Sequence, residues 1–237
     1  MAATRSRWSA LERELREQGG RLIAGVDEVG RGPLAGPVVA CAVVMPPELR
    51  AIAGVADSKR LVPVERVRLA ALIRRRALAI GLGAASVREI DRLNIYHATV
   101  LAMRRALNRL SLAPDHVLID GLPLASLAVK HTAVVDGDAR CYTIACASIL
   151  AKVTRDRLMT SLAVRYPEYE WGRNSGYGTP DHLRGLDRAG ATPHHRRSFA
   201  PVRQLSLDLA DSTQVLSDLP TPDMSETIPF LHPPGQP

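Results

Sequence analysis

The chain has 237 residues, 46% apolar and only 4% aromatic, so its core must come from aliphatic and alanine packing. No run of 18 or more apolar residues occurs, which argues against a membrane-spanning helix. Three cysteines (Cys41, Cys141, Cys146) without Cys-x-x-Cys spacing argue against a disulfide framework or zinc site and for a reducing, cytoplasmic setting.

In chain order, Met1 to Gln18 reads as a charged amphipathic helix around Trp8, Leu11 and Leu15, not a signal peptide. Residues 21–27 predict a strand, and Gly36 to Met45 a second, nearly continuous apolar one that Pro46-Pro47 ends. Val64 to Leu78 has helical spacing, with Val67, Ala70, Ala71 and Leu78 as the apolar face. Ala79 to Ala84 is a short strand. Ser86 with Glu89 forms a capping box for the next helix, and Tyr96 to Leu110 is another. His116 to Ile119 is a buried strand ending at Asp120-Gly121, and Ala133 to Val135 a strand closed by Asp136-Gly137-Asp138. Thr143 to Tyr166 is a long helix. Pro180 to Ala189 is a shorter one, with Thr179 as N-cap. The pattern predicts an N-terminal helix (residues 1–20), a mixed-sheet α/β domain (21–203) and an acidic, Pro-rich, disordered tail (204–237).

The net charge of +7 is unevenly spread. From Gln204 onward there are five acids and no Lys or Arg, so residues 1–203 carry +12. A body this basic suits a polyanion partner.

The chemistry concentrates in the octet 25–32, Gly-Val-Asp-Glu-Val-Gly-Arg-Gly. An apolar strand delivers two adjacent carboxylates, Asp27 and Glu28, and a glycine-flanked Arg31 follows. Further acids stand at strand or loop ends: Asp120, Asp136 and Asp138. Converging carboxylates repel one another unless a cation is bound. Two Mg²⁺ ions about 4 Å apart can activate a water and stabilise a leaving oxygen. Gly30-Arg31-Gly32 lets backbone and guanidinium approach a phosphate closely. A dinucleotide fingerprint does not fit, because Pro33 and an apolar strand stand where a helix N-terminus would be needed.

Five segments together resemble bacterial ribonuclease HII, the type 2 ribonuclease H. They are Ala-Gly-Val-Asp-Glu-Val-Gly-Arg-Gly-Pro-Leu-Ala-Gly-Pro-Val-Val (24–39), Asp-Ser-Lys-Arg-Leu (57–61), Leu-Ile-Asp-Gly (118–121), Ala-Ser-Ile-Leu-Ala-Lys-Val-Thr-Arg-Asp (147–156) and Ser-Gly-Tyr-Gly-Thr-Pro-Asp-His (175–182). The resemblance runs from about Ile23 to Phe199. It implies an RNase H-like fold, with a central mixed five-stranded sheet flanked by helices and a C-terminal helical part. It implies a monomeric endoribonuclease of RNA–DNA hybrids that also incises 5′ of single ribonucleotides in duplex DNA. That cut leaves a 3′-hydroxyl and a 5′-phosphate, by a two-metal-ion mechanism with Mg²⁺ or Mn²⁺.

The family's four acids map onto Asp27, Glu28, Asp120 and Asp138, with Asp136 as the alternative to Asp138. Gly30, Arg31 and Gly32 match the loop whose backbone reads the ribose 2′-hydroxyl. Tyr177 matches the tyrosine that senses the RNA-to-DNA junction. Lys59 matches a phosphate-contacting lysine. Ser148, Lys152 and Arg155 share a helix face that would grip phosphates. Arg74-Arg75-Arg76 and His194-His195-Arg196-Arg197 are left as general positive surface, and the histidines are not assigned as metal ligands, since no paired helical spacing supports that.

At the tail, Gln204, Leu205, Leu207 and Leu209 resemble the Gln-Leu-x-Leu-x-Leu peptide that binds the bacterial sliding clamp. The same leucines could instead pack the last turn onto the core. Two other functions fit parts of the pattern: a non-catalytic nucleic-acid-binding module, and an RNase H-like DNA nuclease or integrase. The clustered acids disfavour the first. Gly30-Arg31-Gly32 with Tyr177 disfavours the second, since a DNA enzyme needs no 2′-hydroxyl reader.

Overall fold

A computed structural model describes residues 9–56 and 58–204. Trp8, Asp57, Leu205, Leu207, Leu209 and the rest of the expected tail lie outside the described residues.

A five-stranded mixed sheet forms the centre, in the order β3-β2-β1-β4-β5. Its strands are β1 (Ile23–Val29), β2 (Val38–Val44), β3 (Ala79–Ala85), β4 (His116–Asp120) and β5 (Thr132–Val134). β1, β2 and β3 pair antiparallel, whereas β4 and β5 join β1 in parallel. Every residue of β2 is buried, as expected of a strand covered on both faces. Val38, Ala40, Ala42 and Val44 pack toward α3 (Val87–Asn108). Cys41 and Val43 pack toward α2 (Pro63–Arg76) and α5 (Tyr142–Arg165).

Two close contacts set these layers. A Cβ at Gly83 would lie 2.1 Å from the Ala102 carbonyl oxygen, so glycine lets α3 approach β3. A Cβ at Gly25 would lie 2.2 Å from the Thr143 carbonyl carbon, so glycine lets α5 start directly on β1.

The expected capping box at Ser86 and Glu89 opens α3. The two helices expected from 86 to 110 form one span broken at Asn94 (φ 67°), whose side chain accepts the His97 N–H at 3.1 Å. The apolar face of α2 differs from expectation. Leu69, Ala70 and Ile73 are buried, while Val67 and Leu78 are exposed. The sheet and α5 meet α2 one residue off the expected stripe, which leaves Val67 on the rim of an open groove with Val153.

Helix α1 (Ala10–Glu17) contributes more than packing. The N-cap of α5, Cys141, makes no side-chain capping bond. The fully buried Glu12 carboxylate takes that place, accepting the Tyr142 N–H at 3.1 Å and the Thr143 N–H and hydroxyl at 2.8 Å each.

The C-terminal helical part, with α6 (Trp171–Asn174) and α7 (Pro180–Ala189), packs Trp171, Tyr169, Leu186 and Val202 against Met159 of α5 and Leu34-Ala35. The described chain ends in a helix at 200–204. No helix among the described residues is long and apolar enough to cross a membrane.

The run 194–197 is not general positive surface: His195 and Arg196 are buried. His182, also buried, donates from Nδ1 to the Tyr177 carbonyl at 2.9 Å. Its Nε2 therefore accepts, from Trp171 Nε1 and from His195 Nε2, each at 3.0 Å. Both imidazoles are thus neutral. Burial lowers both pKa values, that of His195 to about 3. A histidine whose folded pKa is depressed stabilises fully above its unfolded value and loses that stability as pH falls below it. Stability should therefore decline from pH 6.5 downward, by about 2 kcal/mol at pH 5 for His195 alone. Urea midpoints measured from pH 7 to pH 5 should show this, and His195→Asn should flatten the profile.

Candidate active site

The parallel pairing of β1 and β4 runs as far as Val26 beside Ile119. One residue further on each strand stand Asp27 and Asp120, so register alone sets two carboxylates side by side. Alternation along β1 then turns Asp27 toward α5 and Glu28 toward α3. Strand β1 continues to Val29, so Asp27 sits within it and not at its end as expected. It is tolerated there because it accepts the Glu28 N–H at 2.7 Å and a hydrogen bond from Ser148.

Asp27, Glu28 and Asp120 line one cavity of about 470 Å³. Val29, Gly30, Arg31, Gly32, Ser58, Lys59, Arg66, Ser148, Lys152 and Tyr177 complete its wall. The structure thus gathers into one space three of the four expected acids and, Arg155 apart, every expected substrate-binding residue.

Asp138 stands apart from that wall. It lies in the short helix α4 (Gly137–Arg140), is buried, and meets Lys59 Nζ at 3.5 Å. Asp136 is exposed and in left-handed backbone (φ 54°), ahead of α4. Of the two alternatives, then, Asp138 is the one tied to the cavity wall. Asp120 Oδ1 accepts the Gly137 N–H at 2.6 Å, which fixes α4 against β4. Among the described residues no three acid, histidine or cysteine side chains converge closely enough to hold a metal ion as they stand.

The electrostatics of the cavity nonetheless suit a cation. Burial, then the charges of Glu28 and Asp120, push the Asp27 pKa well above the usual carboxylate range. Burial raises that of Glu28 as well, against the opposing pull of Arg31, 3.4 Å away. Hard carboxylate oxygens in a cavity open to water and phosphate match Mg²⁺ or Mn²⁺ in donor type.

The expected phosphate-binding stripe splits. Ser148 and Lys152 face the cavity, Lys152 paired with Asp156 at 2.6 Å. Arg155 does not face it. Only 1% exposed, it donates to the carbonyls of Ala35, Pro37 and Ser175 at 2.9–3.0 Å. Position i+7 keeps nearly the direction of Ser148 but lies about 10 Å further along the helix, where residues 35–37 and the C-terminal part cover it. Three residues escaped the sequence reading. Ser58 meets Ser148 at 2.8 Å, Arg66 donates to the Ser58 and Leu61 carbonyls that shape the turn bearing Lys59, and Arg196 lies under Gly30–Gly32. No local pattern marks Arg66 or Arg196, since both sit in ordinary basic runs.

A folded pKa above the unfolded value means that charged Asp27 opposes folding at neutral pH. Without divalent metal, Asp27→Asn should raise stability. Thermal melts with chelator, then with Mn²⁺, test this: the variant should melt higher in chelator and gain less from the metal.

A family model described as Ribonuclease HII matches residues 24–202. Ribonuclease HII of Granulibacter bethesdensis is 54% identical over 207 residues, covering 86% of this chain and 94% of that protein. Ribonuclease HII of a Synechococcus species is 54% identical over 196 residues, covering 82% and 88%. The crystal structure of ribonuclease H2 from Pyrococcus horikoshii superposes with a TM-score of 0.70 at 27% identity, covering 80% of this chain and 99% of that one. The acid-lined cavity therefore sits in a chain that belongs to the ribonuclease HII family, an endoribonuclease of RNA–DNA hybrids.

Proposed function

We propose that this enzyme incises 5′ of single ribonucleotides embedded in duplex DNA, as well as within longer hybrids, leaving a 3′-hydroxyl and a 5′-phosphate. One observation carries this reading: Gly30, Arg31, Gly32 and Tyr177 share a cavity with Asp27, Glu28 and Asp120. That shared cavity supports a reader of one sugar beside the carboxylates.

In this reading Asp27, Glu28, Asp120 and Asp138 hold the metal, with Asp138 released from the exposed Lys59 when substrate phosphate arrives. Two bound Mg²⁺ or Mn²⁺ ions would supply an activated water and charge stabilisation for the departing oxygen. The backbone of Gly30–Gly32 recognises the 2′-hydroxyl. A Cβ at Gly32 would come 3.5 Å from the Tyr177 ring, so the loop and the ring form two walls of one slot. Tyr177 stacks on the sugar that follows, where a further hydroxyl would crowd it. Lys59, Ser148 and Lys152 meet the phosphates, and Lys152 exchanges its Asp156 partner for one of them.

Residues 21–203 act as the catalytic domain of a monomer in the cytoplasm, a setting that suits three free, buried thiols. The segment 204–209 binds the sliding clamp. Gln204 is exposed at the end of the described residues.

The test is cleavage of a DNA duplex bearing one ribonucleotide, with Mg²⁺, with Mn²⁺ and with chelator. A single metal-dependent nick on the 5′ side is expected, and its absence overturns the reading. Asp120→Asn should abolish nicking while hybrid binding persists, because one repulsive charge is removed. Tyr177→Ala should lower nicking by about tenfold to a hundredfold through lost stacking. For the tail, deleting 204–237 should abolish capture by the immobilised clamp and leave nicking unchanged. Equal capture by the truncated and full chains would refute the clamp assignment.

A further inference from the structure

The segment 30–37 carries the loop next to the acids, and its carbonyl groups are held from below. Arg196, fully buried, donates from Nε and Nη2 to the Gly36 carbonyl at 3.0 and 2.8 Å. Its Nη1 donates to the Arg31 carbonyl at 2.8 Å and its Nη2 to that of Gly30. The Arg196 backbone N–H takes the Leu34 carbonyl at 2.8 Å. Arg155 takes Ala35 and Pro37, 3.0 Å each. Six of the eight carbonyls in this segment thus point inward onto two arginines. Neither guanidinium has a carboxylate within ion-pair distance among the described residues. The Phe199 ring covers Arg196 at 5.1 Å.

Two buried cations side by side with no counter-ion are costly. Core packing alone would be served more cheaply by apolar side chains. Planarity of the peptide bond gives the arrangement a consequence. In a trans peptide the C=O of one residue and the N–H of the next point in opposite directions. Pulling the Gly30 and Arg31 carbonyls inward onto Arg196 turns the N–H groups of Arg31 and Gly32 outward, toward the cavity. A charge-assisted bond to a carbonyl also polarises that peptide and strengthens its N–H as a donor.

We infer that Arg196, supported by Arg155, is the positioning residue for ribose recognition: its buried guanidinium aims and strengthens the Arg31 and Gly32 amides that read the 2′-hydroxyl. A guanidinium is required because one planar fork must reach three carbonyls at fixed angles, which an ammonium on a flexible stem cannot do. Gly30 belongs to the same device. Its φ is +93°, and a Cβ there would lie 2.2 Å from Arg155 Nε.

This inference rests on the proposed 2′-hydroxyl reading, and one experiment separates the two. Binding is measured in Ca²⁺ for a DNA duplex with one ribonucleotide and for the same all-DNA duplex, using wild type, Arg196→Lys and Arg155→Lys. Circular dichroism and thermal melts confirm that each variant is folded. Wild type should prefer the ribonucleotide duplex. Arg196→Lys should lose about tenfold of that preference with all-DNA binding unchanged, as expected for one misaimed charge-assisted contact. Arg155→Lys should lose less. A merely structural role would weaken both duplexes alike and leave their ratio intact, and an intact ratio in a folded Arg196→Lys overturns the inference. Should Arg196→Lys not fold, an undiminished ratio in folded Arg155→Lys overturns it instead. If wild type itself shows no preference, the 2′-hydroxyl reading fails, and the inference with it.

Discussion

The contact between Gly25 and the first turn of α5 governs the molecule. With no Cβ at Gly25, Thr143 sits on the backbone of β1, and the 24-residue helix then crosses the sheet at a fixed height and angle. Everything functional is spaced along that helix. Its first turn meets Glu12, its second brings Ser148 to Asp27, and Lys152 follows at the cavity wall. Arg155 then reaches the glycine loop, and Met159 anchors the C-terminal part. A shift of α5 by half an ångström would move all of these together, since close-packed cores transmit strain.

The cavity is arranged around unresolved charge. Asp27, Glu28 and Asp120 are held together by strand register, which is indifferent to their repulsion, and the surrounding core supplies the stability that this arrangement costs. Beneath the adjacent loop lie two guanidiniums without an acidic ion-pair partner among the described residues. Negative and positive groups thus occupy neighbouring layers without neutralising each other. That separation suits a ligand carrying both a cation's partner and a phosphate, and a packed core gains nothing from it.

The C-terminal part works as a brace. Trp171, His182 and His195 form a neutral hydrogen-bonded cluster that ends on the Tyr177 carbonyl. Arg196 lies one residue from His195 and ends on the glycine loop. Two otherwise separate loops, one with Gly30–Gly32 and one with Tyr177, are therefore referred to a single buried cluster. Their mutual distance is set by this cluster and by the bridge between Ala35 and His195, not by either loop's own sequence.

Much was legible in the chain itself. Capping residues, glycine punctuation and apolar runs located all five strands and the longer helices of the domain to within two residues at most ends, because those signals are local; the four-residue helices α4 and α6 carry no such signal. The motifs with Asp27, Glu28, Asp120 and Tyr177 were legible for the same reason: each is a short segment with its own backbone demands. What only the tertiary structure decided were relations between distant segments. Register placed Asp27 beside Asp120. Burial favoured Asp138 over Asp136. The cover further along α5 took Arg155 out of the phosphate stripe, and a chain reversal put Arg196 beneath a loop 165 residues away. A basic run reads the same whether it faces solvent or carbonyls, since one-dimensional spacing carries no information about which surface will cover it.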